Sequence, residues 1–226
     1  MTLLLCREAT SDQLVDSESF QGGQPRLPDG TAAPRCQSCQ AALTFFFQLA
    51  FPASHAWSGH SVAVFACTSC ADENALIPEM PGGELSSTDV PEEFLKRYET
   101  NFRTIVFETK TGRIQSDYPL RVEFVQLSAC QQRKSAFAQI GGTPVWVLEN
   151  EAPSKVAGAN ATFLFQLRQG LEFPTVEGAP PQMDIGLDGS PELGAPGHYE
   201  LFLGNAIYFF GPERPSSLVY VLTQVD

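Results

Sequence analysis

The chain has 226 residues, 43% of them apolar, and carries 14 Lys and Arg against 26 Asp and Glu, a formal charge of -12. That is enough chain for a core that folds without disulfides, and its negative field repels phosphate, which excludes sequence-independent nucleic-acid binding and favours basic partners. The 18 Gly and 17 Pro fit many turns and short strands better than long helices.

The chain opens "MTLLLCREATSDQ", an apolar stretch with no basic residue before it. It is shorter than the roughly 7 to 15 residues of a secretory leader core. Other apolar runs fall short of the about 20 residues that a spanning helix needs. These features predict a cytoplasmic protein with no membrane contact.

The next segment, residues 18–70, holds Gly22-Gly23-Gln24-Pro25, then Cys36 and Cys39 in "RCQSC", then "TFFFQL" from Thr44 to Leu49. "SVAVFAC", from Ser61 to Cys67, leads to Cys70 in "ACTSC". Much of this order returns downstream. Gly141-Gly142-Thr143-Pro144 precedes "TFLFQL" (Thr162 to Leu167), and "NAIYFFG" (Asn205 to Gly211) follows. The step from Gly23 to Gln48 nearly equals that from Gly142 to Gln166. Recurrence of three landmarks in order predicts a duplicated β unit, two repeats about a pseudo-twofold axis. The mainly β (α+β) domain would have few short helices. Repeat one is residues 18–70, an acidic connector 71–90, an intervening helix and strand 91–135, and repeat two 136–226.

Gly-Gly supplies backbone angles closed to other residues, and the Pro fixes the exit direction. In F-x-F-Q-L, strand alternation predicts Phe45 and Phe47, and likewise Phe163 and Phe165, on one face, all four in a shared core. Gln48 and Gln166 fall on the opposite face. There, a buried amide with donors and an acceptor can pin the Gly-Gly turn; reading of a ligand is the alternative.

Two C-x-x-C turns can aim four thiolates at one ion, which predicts a structural zinc held by Cys36, Cys39, Cys67 and Cys70. Filled by thiolates, such a shell leaves no position for water. His60 would serve as ligand only in place of a cysteine. Redox chemistry from paired C-x-x-C turns lacks the α/β alternation it needs. Cys6 and Cys130 are expected as free, buried or half-buried thiols.

The connector "ADENALIPEMPGGELSSTDVPEE" ends in a helix start, with Thr88 or Asp89 as cap, Pro91 in the first turn, and a stripe of Phe94, Leu95, Tyr98 and Phe102. A strand over Leu120–Leu127 follows. Repeat two carries a long insert before its last aromatic strand, loop by composition, and "SLVYVLTQV" is a C-terminal strand. No nucleophile elbow, zincin helix, P-loop or calcium loop occurs, and no general acid, base and oxyanion device assembles from neighbouring residues. A non-enzymatic protein is expected.

With its GG-x-P turn, first C-x-x-C, F-x-F-Q-L and "VFACTSC" in order, the first half resembles the programmed cell death protein two family. The repeated GG-x-P and F-x-F-Q-L, with "IGGTPVWV", "TFLFQL" and "AIYFFG", are similar to the bacterial YwqG-like family over most of the chain. The resemblance implies a protein built from a duplicated antiparallel β unit that binds another protein, as an immunity protein against a bacterial toxin or as a chaperone for a ribosomal protein. The acids Glu79, Glu84, Asp89, Glu177, Asp184 and Asp188 are then expected to meet a basic toxin domain.

Overall fold

A computed structural model describes residues 1–9, 12–72, 76–82 and 87–226. It is mainly β. In the first half, β1 (Leu3–Arg7), β2 (Phe20–Gln21), β3 (Arg26–Leu27), β4 (Thr44–Ala50), β5 (His60–Ala66) and β6 (Asp89–Val90) precede α1 (Glu92–Tyr98). After the helix come β7 (Phe102–Glu108), β8 (Arg113–Ile114), β9 (Val125–Cys130) and β10 (Ala138–Ile140). The remainder holds β11 (Lys155–Val156), β12 (Ala159–Leu167), β13 (Glu172–Pro174), β14 (Met183–Ile185), β15 (Pro191–Leu193), β16 (His198–Glu200), β17 (Ala206–Pro212) and β18 (Tyr220–Gln224). Among the described residues no helix is long and apolar enough to cross a membrane.

Ten strands form one path in the order β18-β17-β12-β10-β1-β9-β2-β4-β5-β7, antiparallel at every step. β1 sits in the middle, paired with β10 on one side and β9 on the other. The apolar residues of the opening stretch thus form a central strand.

Both Gly-Gly turns have positive φ at consecutive residues, +57° and +68° at Gly22 and Gly23, +62° and +74° at Gly141 and Gly142. A Cβ on Gly22 would lie 2.1 Å from the Glu123 carbonyl oxygen, so only glycine fits there. Gln48 accepts from the Arg26 amide and donates to the Glu18 carbonyl. Gln166 accepts from the Val145 amide and donates to the Val145 carbonyl. Arg26 and Val145 each follow the proline of a GG-x-P turn, so both glutamines pin the exit of the turn and not the glycines themselves. The Gly22 amide donates to Phe46 and the Gly141 amide to Leu164, at matching positions of the two phrases.

Strict alternation fails inside both phrases. A β-bulge lies between Phe45 and Phe47 on β4, and another between Phe163 and Phe165 on β12. The extra residue turns the strand over. Phe45 consequently joins Phe20 and Phe65 in a smaller cluster, while Phe46 and Phe47 face the main core. The four phenylalanines expected together are therefore divided. Phe47 and Phe165 meet edge to face at 6.0 Å, and Phe163 is half-buried at the margin. On β5 alternation holds: Val62, Val64 and Ala66 face the main core, Ala63 and Phe65 the smaller one.

Several local expectations need correction. Pro91 itself is the N-cap of α1, with no side-chain cap bond, and Phe102 leaves the helix to begin β7. The strand expected from Leu120 starts at Val125, because the Val122 carbonyl receives the Gly23 amide and the stretch before β9 packs around that turn. The insert read as loop folds into short ladders, β13 with β16 and β14 with β15, after which Phe173 and Tyr199 enter the main core. Cys6 and Cys130 are not free thiols: they form a disulfide, with Cα atoms 5.8 Å apart. Adjacent strands cause this, since Leu4 pairs with Cys130 and Cys6 lies two residues along β1.

Candidate metal centre

The first C-x-x-C is a tight turn between bridged residues Arg35 and Ala42, closed by the Cys36 amide donating to Ala41 and the Gln40 amide to Cys36. Gln40 adopts φ +64° to make it. The second turn continues from β5. Both rest on the segment leaving α1: the Gln37 amide donates to Thr100, the Gln37 side chain to Glu99, and the Cys67 amide to Asn101.

All four sulfur atoms lie within 4.8 Å of one another. Cys36 to Cys70 is 3.8 Å, Cys39 to Cys67 is 3.7 Å and Cys67 to Cys70 is 3.5 Å, so the thiols are unbonded. A tetrahedral ion with metal–sulfur bonds of about 2.3 Å has sulfur–sulfur edges of about 3.8 Å. The four cysteines therefore could hold a metal ion. His60 lies outside the group, at the start of β5.

The thiols are electrostatically uncomfortable together. Burial pushes the Cys67 thiol up to about 11, with the charge of Cys36 adding to the effect, and burial likewise pushes up Cys70. At Cys39 desolvation also raises, but the bond at Ala41 and the neighbouring thiols outweigh it and the value falls. A dication bound among them would favour loss of all four protons.

Sequence reasoning missed two supports of this centre. Arg121 donates from one nitrogen to Thr44, Thr68 and Ser69, tying the second cysteine turn to β4. The Met183 amide donates to Thr68, so the insert docks on the same turn. Asp184 follows it into a crevice shared with Cys67 and Cys70. Arg121 sits in an unremarkable run, and its signal exists only in three dimensions.

Of the acids expected to meet a partner, Glu79, Asp89, Glu177 and Asp188 are exposed and Asp184 is half-buried. Glu84 and the connector's Glu73 lie outside the described residues. Desolvation raises Asp184, which stands opposite Glu192 in the β14–β15 ladder. Asp188 accepts from the hydroxyl and amide of Ser190, which hold its carboxyl below the usual range and close a turn. The described acids sit on different elements, Asp89 on β6, Asp184 on β14, and Glu79, Glu177 and Asp188 outside any strand.

Glu99, on the segment that carries the cysteine turns, is buried, accepts from the amide and hydroxyl of Thr104, and pairs with Arg103 at 3.0 Å. Desolvation wins, raising its pKa to about 7 from 4.5. Between those values the folded state holds a proton the unfolded state lacks. Stability from this group is thus greatest at low pH, falls as pH rises from about 4.5 to 7, and is flat above; the shift corresponds to about 3 kcal/mol. Glu99→Gln keeps an acceptor for Thr104, and is expected to flatten that slope in urea unfolding at pH 5 and pH 8. An unchanged slope would remove Glu99 as its source.

A scan against protein-family models gives no match to this chain, and a search of curated proteins gives none either.

Proposed function

We propose that the protein is a non-enzymatic binding module, stapled by one structural zinc ion, which binds and neutralises a basic protein toxin. The observation that carries the reading is the exposed acid on its surface. Glu79, Asp89 and Glu177 are exposed and form no ion pair among the described residues, on a chain of charge -12. Exposed acid carried on a rigid sheet and its loops raises the encounter rate with a positive surface. Zinc is favoured for the metal because four thiolates in tetrahedral contact suit it and leave no open position, which gives the ion no catalytic part. In the same reading the chain is two copies of one β unit about an approximate twofold axis, supported by the matched glutamine bonds and matched bulges.

Affinity capture from the native cell, with wild type and with Glu79, Asp89 and Glu177 changed to Lys as baits, tests this. Wild type is expected to retain a basic protein whose association slows steeply with salt, as the Debye length shrinks from about 10 Å at 0.1 M to about 3 Å at 1 M. The triple variant is expected to associate more slowly. Equal rates for both baits would defeat the electrostatic argument, and a ribosomal protein in place of a toxin would turn the reading to a chaperone.

A further inference from the structure

Beside the second GG-x-P turn lies a cavity of about 190 Å³ whose walls include Phe137, Val145, Trp146 and Val147, with Arg133 and Arg168 among its lining. A cavity of about 150 Å³ is enough for a benzene ring. The walls are held firmly. Trp146 stacks on Tyr208 at 4.5 Å, and Gln139 and Gln166 fix the turn that carries it.

The charge at this place runs against the rest of the molecule. Arg133 donates to Gln139 at 2.8 Å, so its guanidinium is oriented. Arg7, whose guanidinium lies over Phe137 at 5.3 Å, adds a third positive group; burial and then the like charge of Arg168 lower its pKa. None of the three has an ion-pair partner among the described residues. Two acids lie close by: the charge of Glu172 partly offsets the lowering at Arg7, and Asp226 accepts from Gln169 of the cavity lining. Like charges gathered at the rim of an apolar cavity attract an anion, and a guanidinium matches a carboxylate in a fork geometry.

We propose that this cavity is a binding site for a small organic carboxylate with a flat apolar body, the body against Trp146 and Val145 and the carboxylate on Arg168 and Arg133. The site is separate from the cysteine cluster and from the acidic loops, and it holds whether or not a basic partner exists.

The probe is 3-phenylpropionate, titrated into the purified protein while Trp146 fluorescence is followed; the other tryptophan, Trp57, is fully buried. A saturable change is expected, with 3-phenylpropionamide binding about tenfold or more weakly because it lacks the charge. Arg168→Gln and Arg133→Gln are each expected to weaken the acid about tenfold while leaving the thermal midpoint in place, since both side chains are exposed. Amide NMR shifts on titration should fall on residues 137–147 and 166–169. Equal affinity for acid and amide, undiminished binding by both arginine variants, shifts confined to other residues, or no saturation up to about 10 mM (a free energy of less than 3 kcal/mol) would each overturn the assignment.

Discussion

Cys67→Ser is expected to lower stability by about 4 kcal/mol or more, the scale of a lost structural metal, which for a chain of this length is roughly 8 to 16 °C in thermal midpoint. The same loss should follow a strong chelator, and elemental analysis of the untreated protein should give about one zinc per chain. Place matters as much as size. Cys36, Cys67 and Cys70 pack on the smaller cluster with Phe45, Phe65 and Tyr118, whose hydroxyl donates to the Leu43 carbonyl. Metal loss should therefore raise hydrogen exchange in β5 and the two cysteine turns first, while β12 and β17 keep their protection. Identical stability with and without chelator would sink the structural role, and absence of metal from native protein would sink the centre.

Phe47→Ala should cost about 3 to 5 kcal/mol, the range for removing a fully buried ring from a packed core. From β4, in the first half of the chain, its ring meets Phe137, Phe165, Phe173 and Phe209, all of the second half. The loss is accordingly expected as a shift of one cooperative transition seen equally by probes in both halves. Phe45→Ala, confined to the smaller cluster, should instead mimic metal loss in its exchange pattern. Half-chains that fold separately, each with its own transition, would refute the common core.

The mainly β class and the assembly of the four cysteines were legible in the residues, because both depend on local chemistry repeated at short spacing. Turn glycines, the aromatic strands and C-x-x-C spacing each carry their own physical constraint. What escaped depends on one-residue irregularities or on distant neighbours. A bulge leaves no mark in "TFFFQL", yet it sends Phe45 and Phe47 to different clusters. The insert is rich in Gly and Pro, and it forms ladders only because Phe173 and Tyr199 have a core to enter. Cys6 and Cys130 are 124 residues apart and meet only through the pairing of β1 with β9. Arg121 acquires its part only once β4 and the second cysteine turn lie beside it.

The position of β1 sets the order in which this molecule can be completed. Residues 3–7 find their partners in β9 and β10, and the 124 residues between Cys6 and Cys130 take about 6 to 25 s to synthesise at 5 to 20 residues per second. Through that interval an apolar strand with three leucines has its native neighbours still unmade. Since the main sheet's path runs through β1, the two sides can each begin to collapse but cannot be joined until β10 has emerged. Completion of the main sheet therefore waits on β10, and until then the nascent chain carries an apolar strand whose edges have no native neighbour.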